Sequence, residues 1–185
     1  MAPTPGQITA LLRRVEQGDA EAHNQLASLV RAQLKRIAAN RLRHERPDHL
    51  YQTSDLVQEA YVRLFKMKNV QWEGREHFFK MAAVQMRRIL IEYARHAYRD
   101  NPVRVSLAEV PGLSFNAGRD LLRLDEILYD LEKIDPRRAE VVVLRYFGGY
   151  QLDEIARLTG LSLATVKRYW ASAKAFIKLQ LRAAA

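Results

Sequence analysis

The chain has 185 residues, enough for one domain or two small ones. Thirty Lys and Arg against 21 Asp and Glu give a net charge of +9 and a pI near 10.0, a balance that favours a polyanionic partner. The sequence has no cysteine for a disulfide framework or thiolate metal site, no apolar run near the roughly 20 residues that span a bilayer, and no visible secretion signal; it reads as cytoplasmic, with no membrane contact.

Nearly everything predicts helix. Ile8 to Gln17 is short and amphipathic, and Gly18-Asp19 ends it. Ala20 to about His44 is long, with Leu26, Leu29, Val30, Leu34, Ile37, Ala38 and Leu42 on its buried face, and Pro47 closes the segment. Thr53 or Ser54 is placed to cap the next helix, Asp55 to Lys66, where Leu56, Val57, Ala60, Tyr61, Leu64 and Phe65 are apolar. Asp55 and Glu59 stand one turn apart with Gln58 beside them. Acid in a first turn complements the helix dipole, which accounts for Asp55 but less well for Glu59. Met67 to Arg75 reads as a loop with Gly74 and an isolated Trp72. Glu76 to Arg99 predicts the longest basic helix: Phe78, Phe79, Ala82, Met86, Ile89, Leu90 and Tyr93 alternate with Arg87, Arg88, Arg95 and Arg99.

From Asp100 to about Arg119 the helical period fails, punctuated by Pro102, Pro111, Gly112, Asn116 and Gly118, as a linker would be. Helix resumes over Asp120 to Lys133; Asp135-Pro136 starts another that runs to Tyr146, and Gly148-Gly149 follows. The reading is all-α: two small helical domains, 1–99 and 120–185, joined by a flexible linker over 100–119.

The last block reads as a helix-turn-helix. Asp153 to Thr159 is a short helix with Ile155 and Leu158 on one face and Ala156 small enough for close contact. Gly160 falls where the turn needs positive φ, and Ser162 is an N-cap whose hydroxyl accepts from the Thr165 amide. Val166, Trp170, Ala173, Ile177 and Leu181 then form one buried stripe. Thr165, Lys167, Arg168, Ser172, Lys174 and Lys178 fall off it, and no acid occurs after Gly160. Charge alone also fits a merely solvated helix; turn glycine, cap, small residue and basic face together favour a reader of the DNA major groove.

No histidine pair has the i, i+4 spacing of a helical zinc site, and no nucleophile–base–orienter set is identifiable. The chain is therefore read as no enzyme, with no metal, cofactor or small-molecule substrate.

DLVQEAYVRLF, then W-x-G and HFFKMAAVQMRRILIEYARHAYR, then DPRRAEVVVLRYFGGYQLDEIARLTGLSLATVKRYW together resemble the extracytoplasmic-function (ECF) sigma factors of bacterial RNA polymerase. The order and spacing of these weak motifs carry the match, which covers nearly the whole chain. It implies a sigma-two-like domain and a sigma-four-like helix-turn-helix domain, without the extra domains of housekeeping sigma factors. It further implies that Asp55, Gln58 and Glu59 dock on the β′ coiled coil of core polymerase. The loop Asn69 to Gly74, with Asn69, Gln71 and Trp72, matches the segment that captures a flipped base of the minus-ten element. Arg87, Arg88, Glu92, Arg95, His96 and Arg99 match the helix lying on minus-ten DNA. Thr165, Lys167, Arg168, Ser172 and Lys174 match the reader of the minus-thirty-five element, in the domain that meets the β flap. The linker would thread toward the RNA exit channel.

Departures mark a divergent subgroup. Ser54-Asp55 replaces the usual pair of acids, Arg88 stands where asparagine is commoner, and Tyr169-Trp170 replaces an Arg-Leu pair. A phosphate placed on Thr53 or Ser54 by a Ser/Thr kinase would supply the missing acid; an anti-sigma factor is the other candidate regulatory partner.

Two readings of Trp72 stand. It is a stacking platform for an extruded base, whose unstacking costs a few kcal/mol, or a cover over the helix packing below. Phe78, Phe79 and Tyr93 lie on the apolar period and read as core. The chain as a whole reads as a promoter-specificity subunit that works inside polymerase holoenzyme. The alternative is a stand-alone helix-turn-helix regulator with an N-terminal dimerisation or sensing half, binding paired half-sites. That alternative gives the Asp55–Glu59 face no task, and a pure protein-interaction module leaves the charge unexplained.

Overall fold

The computed structural model describes residues 5–42, 53–67, 70–100 and 117–183. Among these, regular structure is helical throughout: α1 (Pro5–Glu16), α2 (Ala20–Leu42), α3 (Thr53–Lys66), α4 (Arg75–Asp100), α5 (Ala117–Ile134), α6 (Pro136–Tyr146), α7 (Leu152–Thr159) and α8 (Leu163–Ala183). Pro47, His44, His49 and the 101–116 part of the expected linker lie outside the described residues, and α5 takes in the last three residues of that linker, 117–119.

Local chemistry sets the corners. Gly18 turns the chain at φ 84° after α1. Asp19 then caps α2, its Oδ1 accepting from the Ala22 amide at 2.9 Å, while Arg14 Nε donates to Oδ2 at 2.8 Å. The backbone amide, then the guanidinium, hold the Asp19 carboxyl below the usual carboxylate range. α3 begins at Thr53, so Ser54 lies inside the first turn instead of capping it. Asp135 caps α6 by accepting from the Arg138 amide at 3.0 Å, with Pro136 in the first turn, where a missing N–H leaves nothing unpaired.

α4 is the spine. Phe78, Phe79, Ala82, Ala83, Met86, Ile89, Leu90, Ile91 and Ala94 are all buried. Three consecutive buried residues, Ile89, Leu90 and Ile91, point about 100° apart around the helix axis, so neighbours must cover more than one side. α1, α2 and α3 cover one side; α5, α6 and α7 pack on the other. Buried side chains from Ile8 to Ile177 consequently join one hydrophobic cluster, and the two halves expected from the sequence touch through α4.

α6, α7 and α8 meet over Tyr146, Phe147 and Tyr150, all buried. Arg145 reinforces the α6–α7 joint by donating from Nη1 to the Tyr150 carbonyl at 2.7 Å and to Gln151 Oε1 at 2.9 Å. Gly148 is required here for space: an added Cβ would lie 2.6 Å from the Leu144 carbonyl oxygen and 2.7 Å from the Tyr150 ring. Gly148→Ala should therefore lower unfolding free energy in urea by about 1–3 kcal/mol through overpacking. Gly6→Ala, with nothing within 4 Å of the new Cβ, should cause no loss and serves as the comparison.

Candidate nucleic-acid and polymerase interface

On α3, Leu56, Val57, Ala60 and Leu64 turn inward, which leaves Asp55 and Gln58 exposed and Glu59 half-buried on the opposite face. Glu59 is held by Arg63, one turn on: Nη2 donates to Glu59 Oε1 at 2.5 Å. The same guanidinium reaches α4, with Nη1 to Glu92 Oε1 at 3.0 Å and Nη2 to Glu92 Oε2 at 2.6 Å. This fork–fork geometry is the strong form of a guanidinium–carboxylate contact. The paired Arg63 holds Glu92 below its ordinary value, and Glu92, with Glu59, pushes Arg63 further up. The acidic face read from α3 is thus tied to the polar face of α4 by a residue that the sequence reading did not single out.

The loop after α3 is closed on the body. Trp72 is 9% exposed, packed against Phe65, Phe78 and His77 with ring centroids at 6.5, 5.4 and 5.7 Å. Its amide donates to Glu16 Oε1 at 2.5 Å, and the Arg75 amide donates to Thr9 Oγ1 at 3.2 Å, fastening the C-terminal end of the loop to α1. In this structure Trp72 is a cover over the core and offers no open face to a base. Gln71 is exposed, and Asn69 lies outside the described residues. His23 stacks edge-on with Tyr61 and Phe65, and burial pushes the Tyr61 hydroxyl up to about 12.

Of the α4 residues, Arg88, Glu92, Arg95 and His96 are exposed; the Arg99 side chain is not among those described. Arg87 is engaged within the chain. Only 13% of its side chain is exposed, with Nε on Asp125 Oδ1 at 2.8 Å and Nη1 on Glu132 Oε1 at 2.6 Å. α5 covers that flank of α4, and periodicity along one helix cannot announce its neighbour. Arg95 also leans toward Asp125, at 3.6 Å.

The helix-turn-helix forms as read. Gly160 has φ 69°, Ile155 and Leu158 are buried, and the Thr165 amide donates to Ser162 Oγ at 3.1 Å. Val166, Trp170, Ala173 and Ile177 are buried, leaving Lys167, Arg168 and Lys178 exposed and Thr165 half-buried. Two further candidates are engaged internally: Ser172 Oγ donates to the Tyr169 carbonyl at 3.2 Å, and Lys174 Nζ lies 5.6 Å from the centre of the Trp170 ring. Lys167 and Arg168 thus stand exposed in the first turns of α8, Arg168 with its Cζ 6.0 Å from the centre of the Tyr169 ring, and Lys178 stands exposed farther along.

Among the described residues, no cluster of His, Asp or Glu has the form of a metal site, and no helix is long and apolar enough to cross a membrane.

A helix-turn-helix with a cationic leading turn, behind a helical half whose acidic face is joined to a basic helix, defines a DNA-binding transcription protein. The family described as ECF sigma factor matches residues 5–183, and the chain belongs to that family. Membership makes it a sigma factor acting in transcription initiation, with core RNA polymerase and promoter DNA as its partners. The family is one of non-enzymatic transcription factors. No curated protein matches the chain.

The Arg63 tie has a pH signature. Glu92's folded pKa lies below its ordinary 4.5, so its contribution is present above that value and is lost as pH falls through the lowered pKa. Arg63 stays cationic throughout. Glu92 is half exposed, so the effect is small, well under about 1 kcal/mol. Glu92→Gln should flatten the acid limb of urea-unfolding stability below pH 4.5 while leaving helicity unchanged.

Proposed function

We propose that this protein directs core RNA polymerase to specific promoters, gripping the enzyme with α3 and the promoter with α4 and α8. The 1–99 half would dock and melt, and the 120–185 half would read the upstream element. The observation that carries the reading is the separation of charge: exposed Asp55 and half-buried Glu59 on α3 against exposed Lys167 and Arg168 on α8, within a family match that spans both. Asp55, Gln58 and Glu59 would meet the β′ coiled coil. Gln71, Arg88, Arg95 and His96 line the proposed minus-ten side, and Thr165, Lys167 and Arg168 the minus-thirty-five side, near the β flap. Such a protein works in the cytoplasm, where polymerase is. A kinase acting at Ser54, which is exposed beside Asp55, or an anti-sigma factor covering these faces, would control it.

Docking is tested with Asp55→Lys combined with Glu59→Lys. Like charges across the contact cost several kcal/mol, so the double variant should lose co-purification with core polymerase while circular dichroism stays that of wild type. Normal co-purification would overturn the docking assignment.

The upstream contact is tested on α8. Arg168→Ala should weaken use of the minus-thirty-five element selectively, by about 1–3 kcal/mol of base discrimination if the contact is bidentate to guanine. Lys167→Ala should lower affinity for all sequences alike and reduce the salt slope by about 1, as loss of a phosphate contact does. In vitro transcription with core polymerase on genomic promoters, at several salt concentrations, separates the two. Tight, sequence-specific binding by residues 120–185 as a dimer would point instead to a stand-alone regulator.

A further inference from the structure

α1 reaches the loop before α4 through two side chains. Glu16, exposed at the end of α1, accepts from the Trp72 amide at 2.5 Å. Half-buried Thr9, two turns earlier on the same face, accepts from the Arg75 amide at 3.2 Å. The Glu73 amide donates to His77 Nδ1 at 3.3 Å. Three of the four amides from Trp72 to Arg75 thus end on side chains instead of a helix ladder. Gly74, at φ 134°, supplies the bend, and an added Cβ there would lie 3.4 Å from Thr9 Oγ1. α1 is itself fixed by Ile8, Leu11 and Leu12, all buried. With Trp72 turned into the core, Gln71 before it stands exposed.

We propose that Glu16 and Thr9 are positioning residues for promoter opening: from α1 they set the backbone from which Gln71 meets a base on the minus-ten side. The inference rests on the reading of this loop as a DNA contact. A glutamine amide both donates and accepts, so it can pair with the edge of an unstacked base. Such a pair needs its partner held to within about 0.5 Å, which a loop achieves only when its backbone is locked by a supporting shell. Two acceptors on a packed helix supply that lock here. Without them the loop samples other conformations, and its ordering then opposes the contact with DNA. The loss falls on the opening step and on the base that Gln71 meets. Docking on polymerase is spared, because Asp55 and Gln58 lie on α3, away from these bonds.

The test uses holoenzyme built on the full-length chain. Promoter opening is followed by permanganate reactivity, with the non-template minus-ten bases made abasic one at a time. Gln71→Ala identifies the base: the abasic position that slows opening in wild type and no longer does so in that variant. Glu16→Ala should slow opening on intact DNA about five- to tenfold, the size of a lost charge-assisted hydrogen bond, and erase the abasic penalty at that same position only. Thr9→Val, nearly the same shape without the hydroxyl, should act in the same way and carries the test if Glu16→Ala folds poorly. Glu16→Gln keeps an acceptor oxygen and should restore opening. Co-purification with core polymerase should match wild type in each variant. A merely structural role gives another pattern: slowed opening with the abasic penalty retained at every position, and a lowered Tm. That pattern, or opening at the wild-type rate in both Glu16→Ala and Thr9→Val, overturns the proposal. If no abasic position depends on Gln71, the DNA role of this loop fails and the positioning with it.

Discussion

The arrangement of this protein depends on α4 being covered from two sides. A helix at the surface of a small bundle buries one stripe and leaves the rest to water. α4 buries Phe78 and Phe79, Ala82 and Ala83, then Ile89 to Ile91, because α1 to α3 hold one side and α5 to α7 the other. Its small residues matter as much as its large ones, since Ala82, Ala83 and Ala94 are fully or almost fully buried where neighbours press close. What remains for polar contact is a pair of narrow flanks. One carries Glu92 toward Arg63 of α3; the other carries Arg87 toward α5.

That geometry explains how a basic chain manages its charge. Exposed ion pairs contribute little to stability, about 0–1 kcal/mol each, so the pairs around α4 are better understood as setting position than as holding the fold. Arg87 is the exception in degree: at 13% exposure, losing its partners would leave a poorly solvated cation. By contrast Lys167 and Arg168 have no acid on their own helix to neutralise them, and nothing follows Gly160 but cations and neutral residues. The acids of the C-terminal half thus lie on α5, α6 and α7 or in the turn before α6, and α8 carries only cations and neutral residues.

Legibility in the sequence divides along the same line. The helix-turn-helix is legible because its determinants are local: Gly160 in the turn, Ser162 accepting from Thr165, and a stripe from Val166 to Ile177 at helical spacing, although Leu181, read as the end of that stripe, is only half-buried and α7 starts one residue early, at Leu152. The start of α6 at Asp135-Pro136 was readable for the same reason. Gly18-Asp19 reads as the end of α1, whereas Asp19 also caps α2, since a Gly-Asp pair signals a turn without saying which neighbour the side chain serves. Arg63 and Arg87 were beyond reach in a stronger sense. Their partners lie 29, 38 and 45 residues away, and nothing in the spacing of α4 distinguishes an arginine aimed at DNA from one aimed at α5. Trp72 was undecided because a lone aromatic in a polar loop fits either use; Phe65, Phe78 and the staple to Glu16 resolve it as a cover in this conformation.

Arg63 also places the two proposed grips in a mechanical relation. One guanidinium bonds Glu59, on the proposed docking face, and Glu92, on the polar flank of α4. A cation arriving from a partner to meet Glu59 would share that carboxylate and leave Arg63 more fully to Glu92. α3 and α4 are packed rigidly through Leu56, Ala60, Leu64 and Phe78, so little relative movement of the backbones can follow. What can change is the charge that Glu92 presents beside Arg88 and Arg95 in the groove these three help to line. If α3 docks and α4 meets DNA as proposed, the two contacts share one arginine whose hydrogen bonds span a single helix–helix contact.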